Sequence, residues 1–192
     1  MRLGILVSGR GSNLEAVLAA APEGLEPVLV ISNRAGVRAI EVAAAHGVPR
    51  LVLRRADFGG DPSARDAAIG SAFERAGVEL GLMAGYDQLL HPAYFAAFSG
   101  RTINIHPSLL PAHGGVGMLG MAVHRSVLAA GDAETGVTIH EVTAELDGGP
   151  ILAQSRVAVQ PGDDAATLAA RVLVEEHRLL VATLARIAAE VD

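Results

Sequence analysis

The sequence predicts an α/β fold: a Rossmann-like, open, mostly parallel sheet with helices on both faces, mixed towards its end. Three observations predict it. Short apolar runs alternate with amphipathic segments along the first half, which is the βαβ pattern. A glycine-rich turn, Ser8-Gly9-Arg10-Gly11-Ser12-Asn13, follows the first apolar run and opens the first amphipathic segment. Two apolar runs near 135–142 and 151–159 then follow one another without a helix, so a mixed sheet is expected.

Each element has its own warrant. Residues 3–7 read as the first strand and 12–21 as a helix, with Ser12 and Glu15 in the spacing of a capping box. Strands are predicted at 27–32, 50–53 and 80–84, and a helix at 37–46 ended by Gly47. Residues 57–62 form a Gly/Pro/Asp loop before a helix over 63–76. Pro92 opens the next helix, 92–98, where its fixed φ suits the first helical position. Residues 101–105 read as the fifth strand. A Gly-rich loop over 113–120 leads to a helix at 121–130. Residues 164–189 read as a long Ala/Leu-rich helix whose Asp163/Asp164 pair complements its N-terminal dipole.

Composition bounds function. The 192 residues are read as one domain, 1–192; 51% are hydrophobic and 19% charged, enough for a sizeable core. Fifteen basic against 21 acidic residues give a net charge of −6, which argues against a nucleic-acid binder. The absence of cysteine excludes disulfides, thiol catalysis and cysteine-ligated metals. No run reaches the ~18 consecutive apolar residues of a membrane span, and the N-terminal run is too short for a signal peptide. The expectation is a cytoplasmic protein acting on small molecules, with no nucleic-acid or membrane partner and its oligomeric state unknown.

The chemistry concentrates in Asn104-Ile105-His106-Pro107. On a strand, Asn104 and His106 share a face, and Pro107 ends the strand just beyond them. They therefore stand at the C-terminal mouth, where open α/β sheets bind ligands. An amide donor beside an imidazole suits a reaction that grows an oxyanion and moves a proton. At such a mouth, loss of His106 is expected to leave no core cavity. Glu145-Leu146-Asp147-Gly148-Gly149-Pro150 adds a carboxylate on a glycine-rich loop, able to reach back to the histidine. The turn at residues 8–13 offers backbone N–H groups at a helix start, which suits a phosphate. It departs from the dinucleotide fingerprint, whose third Gly position holds Leu14. Among the other histidines, His140 lies on a predicted strand, His113 in the Gly-rich loop and His124 on the helix after it. A metal held by His106, His124 and His140 lacks supporting spacing, so no metal is expected.

Three segments together, residues 8–14, 104–111 and 145–151, resemble the folate-dependent phosphoribosylglycinamide formyltransferases of purine synthesis, over essentially the whole chain. The resemblance implies transfer of a formyl group from 10-formyltetrahydrofolate, a co-substrate, to the amine of glycinamide ribonucleotide. It implies that Asn104 and protonated His106 stabilise the oxyanion while Asp147 orients His106 and manages proton transfer with a water. Gly11, Ser12 and Asn13 would hold the phosphate and Glu176 the ribose. Asp87, Gln88, Leu89, Leu90, His140 and Val142 would line the pterin site, largely through backbone groups. The chain departs from the family pattern at Asp87-Gln88, where Met-Arg is usual, at Pro62 in place of Arg, and at Leu173 in place of Gln. Its 114–120 loop is longer than the common version.

Related readings are set aside on the sequence. A methionyl-tRNA formyltransferase would add a C-terminal RNA-binding domain, and a formyltetrahydrofolate deformylase an N-terminal regulatory one. A sugar N-formyltransferase would not call for the Ser-Asn phosphate loop. A non-catalytic sensor of phosphate ligands would not need Asn104, His106 and Asp147 together.

Overall fold

The computed structural model of the chain describes residues 1–190. Seven strands, β1 (Arg2–Val7), β2 (Glu26–Ser32), β3 (Arg50–Val52), β4 (Leu80–Met83), β5 (Arg101–His106), β6 (Glu134–Glu141) and β7 (Ile151–Ala158), alternate with helices. The helices are α1 (Ser12–Ala20), α2 (Arg38–Ala45), α3 (Pro62–Arg75), α4 (Pro92–Ala97), α5 (Met121–Ala130) and α6 (Ala165–Ala189). The strand order is β3-β2-β1-β4-β5-β6-β7. β1 pairs in parallel with β2 and β4, and β2 with β3, whereas β6 and β7 are antiparallel. The sheet is thus mixed in the way the adjacent runs predict. Contacts divide the chain into two compact units, residues 1–103 with the segment from Leu184 onward, and residues 104–183.

In the first unit, β1, β2 and β4 are near-continuously buried, as parallel central strands should be. The order reverses at β1: the chain moves outward to β2 and β3, then returns to pair β4 on the other side of β1. That switch point opens a crevice at the strands' C-terminal ends. The scarce aromatics are gathered in this unit. Phe73 meets Phe98 and Tyr94 edge-on at centroid distances of 5.5 and 6.3 Å, and the Tyr94 hydroxyl bonds Thr102 Oγ1 at 2.7 Å. Gly4 is required by this packing, since a Cβ there would lie 2.7 Å from the Phe73 ring.

Two helix starts differ from the sequence reading. Ser12 is not a cap: Gly11 takes the N-cap position at φ 75°, without a side-chain cap, and Glu15 turns to Arg38 at 2.8 Å. The capping-box pattern loses because a glycine one residue earlier can adopt the left-handed backbone that this turn needs. Pro62 belongs to α3 instead of the preceding loop. Asp61 caps the helix by accepting from the Ser63 N–H at 2.8 Å, and a single 3₁₀ turn, Arg55–Phe58, fills part of the segment read as a loop.

In the second unit, β6 is buried from Thr135 to His140. Its register with β7 shifts between Ile139 and His140; such an irregularity re-aims the side chain beside it. α6 starts as Asp163 and Asp164 predict. Asp164 Oδ1 accepts from the Thr167 N–H at 2.8 Å, and the Thr167 hydroxyl accepts from the Asp164 N–H at 2.9 Å. Asp163 instead holds Arg171 through two bonds of 2.7 Å, which keep its carboxyl well below the usual range.

Candidate active site

Strand β5 runs one residue further than the sequence reading, so His106 is its last residue, and Asn104 and His106 lie two apart on it. Both meet partners from β6 and the loop beyond it. Asn104 Nδ2 lies 3.2 Å from His140 Nε2, and His140 Nδ1 lies 2.9 Å from the Glu141 carbonyl. A carbonyl only accepts, so His140 carries its proton on Nδ1 and receives an Asn104 N–H at Nε2. That fixes the Asn104 amide and leaves its second Nδ2 hydrogen for a ligand oxygen. Burial pushes the His140 imidazole below its ordinary range; the Glu141 carbonyl and the Asp147 carboxylate oppose this, while His106 adds to it.

His106 is buried, with its side chain 5% exposed. Its Nε2–H donates to the His113 carbonyl at 2.9 Å. Nδ1 is therefore the nitrogen free to exchange a proton, and it faces Asp147 Oδ2 at 3.9 Å. That separation is too long for a direct hydrogen bond. Asp147 thus supplies charge beside His106, while the His113 carbonyl sets the ring's orientation, the role expected of Asp147. Asp147 also stands 3.7 Å from His140 Nε2 and accepts from the Gly115 N–H at 2.8 Å. Its backbone is left-handed, φ 52°. The loop after it is tightly built: a Cβ on Gly149 would lie 1.9 Å from the Glu141 carbonyl oxygen. His124, buried on α5, has no partner for Nδ1, and burial and His106 lower its affinity for a proton.

The phosphate-loop residues lie in the first unit. Gly11 is packed against α2, where a Cβ would meet the Ala39 backbone at 2.8 Å, while Gly9 faces open space. Asn13 is buried and Ser12 half-buried at the start of α1. Asp87, at the end of β4, is knitted to the ends of β1 and β2: its N–H donates to Ser8 Oγ at 3.0 Å, Asn33 Nδ2 donates to its carboxylate at 2.9 Å, and Arg34 pairs with it. Burial opposes ionisation of Asp87, but the bonds from Asn33, Gln88 and Ser8 and the charge of Arg34 outweigh it. Gln88 bonds Asp87 and lies 3.4 Å from Arg65, which is fully buried against Asp66.

The six expected pterin contacts are therefore unlike one another. The side chains of Asp87 and Gln88 are engaged within their own unit, and Leu90 is 2% exposed, so its side chain belongs to the core. Leu89 is open to solvent and Val142, just past β6, is half-buried. His140 contacts Asn104 and Asp147, which makes it part of the acid–base group. Glu176 is half-buried on α6. His113 was visible in the loop, but nothing in the sequence signalled that its ring meets Ser126 Oγ at 2.8 Å and Asp132 Oδ2 at 2.6 Å. Among the described residues, no three His, Asp or Glu side chains are grouped to hold a metal ion, and no helix is long and apolar enough to cross a membrane.

An amide, two imidazoles and a carboxylate gathered near strand ends of an open α/β sheet can stabilise an oxyanion and move a proton, the chemistry that acyl-type group transfer needs. The chain belongs to the formyl transferase family, which it matches over residues 1–184. It is 44% identical to phosphoribosylglycinamide formyltransferase of Mycobacterium tuberculosis, covering 97% of this chain and 85% of that one. It is 38% identical to the chloroplastic phosphoribosylglycinamide formyltransferase of Arabidopsis thaliana, covering 98% of this chain but 66% of that protein, just under two thirds of its length. Among solved structures, glycinamide ribonucleotide transformylase 1 from Symbiobacterium toebii superposes with a TM-score of 0.91 at 38% identity, covering 99% of this chain and 88% of that one.

Proposed function

We propose that residues 1–192 act as one formyltransferase domain that transfers the formyl group of 10-formyltetrahydrofolate to the amine of glycinamide ribonucleotide. The observation that carries this reading is the grouping of His106 and His140 beside Asp147, with Asn104 bonded to His140. The names of the relatives support the acceptor. The donor set fits a folate formyl donor, because acyl transfer needs hydrogen-bond donors for an oxyanion and a group that can carry a proton. When bound, that co-substrate supplies the formyl carbon.

The acceptor amine forms a C–N bond to the formyl carbon, and the carbonyl electrons move onto its oxygen. The second Asn104 N–H and a protonated His106 Nδ1 donate to that oxyanion. Asp147, beside both imidazoles, stabilises the imidazolium and relays the proton lost by the amine. Collapse of the intermediate breaks the bond to the folate nitrogen, which leaves with that proton. The fixed, neutral His140 keeps Asn104 aimed throughout.

Gly11, Ser12 and Asn13 bind the 5′-phosphate dianion at the start of α1, where the helix dipole favours it in a protein of net charge −6. Glu176 accepts from the ribose hydroxyls. Backbone groups of 87–90, with the exposed Leu89 side chain, bind the pterin. The enzyme works in the cytoplasm on small molecules.

A turnover assay with 10-formyltetrahydrofolate tests the reading. Formylation of glycinamide ribonucleotide is the expected result. Formate release without an acceptor, or formylation of an amino sugar nucleotide alone, would overturn it.

A further inference from the structure

His113 is anchored through both of its ring nitrogens, and the reaction does not use its ring. Its Nε2–H donates to Asp132 Oδ2 at 2.6 Å, and its Nδ1 lies 2.8 Å from the Ser126 hydroxyl. Ser126 is on α5 and Asp132 just past its end. The order of ring nitrogens is the reverse of a serine-hydrolase triad, where Nε2 faces the serine and Nδ1 the carboxylate; this arrangement suits an anchor, not a nucleophile. The His113 backbone is left-handed, φ 54°, a conformation that a non-glycine residue keeps only when its surroundings enforce it. Both reacting groups hang on this segment. The His113 carbonyl accepts the His106 Nε2–H at 2.9 Å, and two residues on the Gly115 N–H donates to Asp147 at 2.8 Å.

We propose that Asp132, Ser126 and the His113 ring form a positioning clamp that holds segment 113–115 and thereby sets the tautomer of His106 and the aim of Asp147. The clamp gives His106 one proton at Nε2 that does not exchange with substrate, and turns Nδ1 towards Asp147. The other titratable groups facing His106 are His124 from α5, Asp147 from the β6–β7 loop and His140 of β6. His106 Nε2 is held by the His113 carbonyl. The proposal rests on the reading of His106 as the acid–base residue.

The test uses the full chain with Asp132→Ala, Asp132→Asn and Ser126→Ala. Asp132 is 41% exposed at its side chain, so its truncation removes the anchor without opening the core. The readouts are kcat and KM for both substrates, the unfolding midpoint, and the ¹⁵N imidazole signals of His106, assigned by their loss in His106→Gln. Asp132→Ala should lower kcat about 10- to 100-fold with KM within about twofold, the scale of a small misplacement of reacting groups. The His106 signals should leave the pure Nε2–H tautomer. Asp132→Asn still accepts from the ring and should recover most of the loss, while Ser126→Ala should show a smaller change in the same direction. An unchanged kcat in Asp132→Ala overturns the clamp, as does a lowered kcat with unmoved His106 signals. Normal turnover in His106→Gln would instead overturn the acid–base reading, and it is scored separately because the ring signals report the clamp without activity.

Discussion

At the scale of single residues, burial changes how the central histidine should be tested. The sequence placed His106 at a strand mouth, where truncation would leave no cavity; in the structure it is 4% exposed and bonded to the His113 carbonyl. His106→Ala would orphan that acceptor and open a void, costing about 1–3 kcal/mol irrespective of chemistry. His106→Gln separates the two effects, because its amide can still donate to His113 but cannot carry a proton. Turnover should fall by about 10²–10⁴ with the unfolding midpoint close to wild type; retained turnover in the folded variant counts against His106 as acid–base group. Asp147→Asn is equally clean. Asn tolerates the left-handed backbone at φ 52° and can accept from Gly115, so the loop should keep its form while the charge is lost. We expect a lower kcat with little change in KM; the reverse pattern would make Asp147 a binding residue. Asn104, His106 and Asp147 were legible in the sequence because strand periodicity and a glycine-rich loop announce them. His140 and His113 were visible as residues but not in their roles. Those roles depend on a register shift in β6 and on partners 13 and 19 residues away, for which a sequence carries no periodic mark.

At the scale of elements, the strands were read nearly to the residue, because buried parallel strands are unbroken apolar runs. Helix starts were read less well, since the cap depends on which residue can take an unusual backbone angle. Gly11 illustrates this, and the same fact decides how the phosphate loop can be probed. Any side chain at Gly11 must adopt φ 75° and press on the Ala39 backbone, so weaker ligand binding in Gly11→Asp would report a damaged loop as readily as a repelled phosphate. Gly9 lies in the same turn, and a Cβ there meets nothing within 4 Å. Gly9→Asp should therefore keep the unfolding midpoint while weakening glycinamide ribonucleotide binding about tenfold or more, roughly 1.4 kcal/mol per decade, through charge repulsion. Folate binding should change little. Paired titrations check this: unchanged nucleotide affinity, or an equal loss for both ligands, counts against the phosphate assignment.

At the scale of the whole molecule, the fold class was legible in the sequence, but the burial of two histidines that holds them below their ordinary proton affinity was not. His124 and His140 are 4% and 3% exposed, and burial is the main cause that lowers each below the ordinary histidine value of 6.5. In the unfolded chain both take up protons near 6.5; in the folded protein they resist until lower pH. The unfolded state thus binds more protons across that window, so stability is fully present above about pH 7.5 and falls as pH drops from 6.5 towards the folded values. The slope from each group cannot exceed about 1.4 kcal/mol per pH unit. A second loss follows as pH falls below about 3.8, where the unfolded chain takes up a proton that Asp87, held ionised by Asn33, Gln88, Ser8 and Arg34, still resists. Urea midpoints measured from about pH 8 down to about pH 2.5 should decline in two stages, the first above the range in which Asp87 acts. His124→Leu tests its origin, because His124 Nδ1 has no partner to lose. The variant should shed part of the decline between pH 7 and 5 while keeping the decline below about pH 4. An unaltered profile between pH 7 and 5 would show that His124 is not buried in its neutral form.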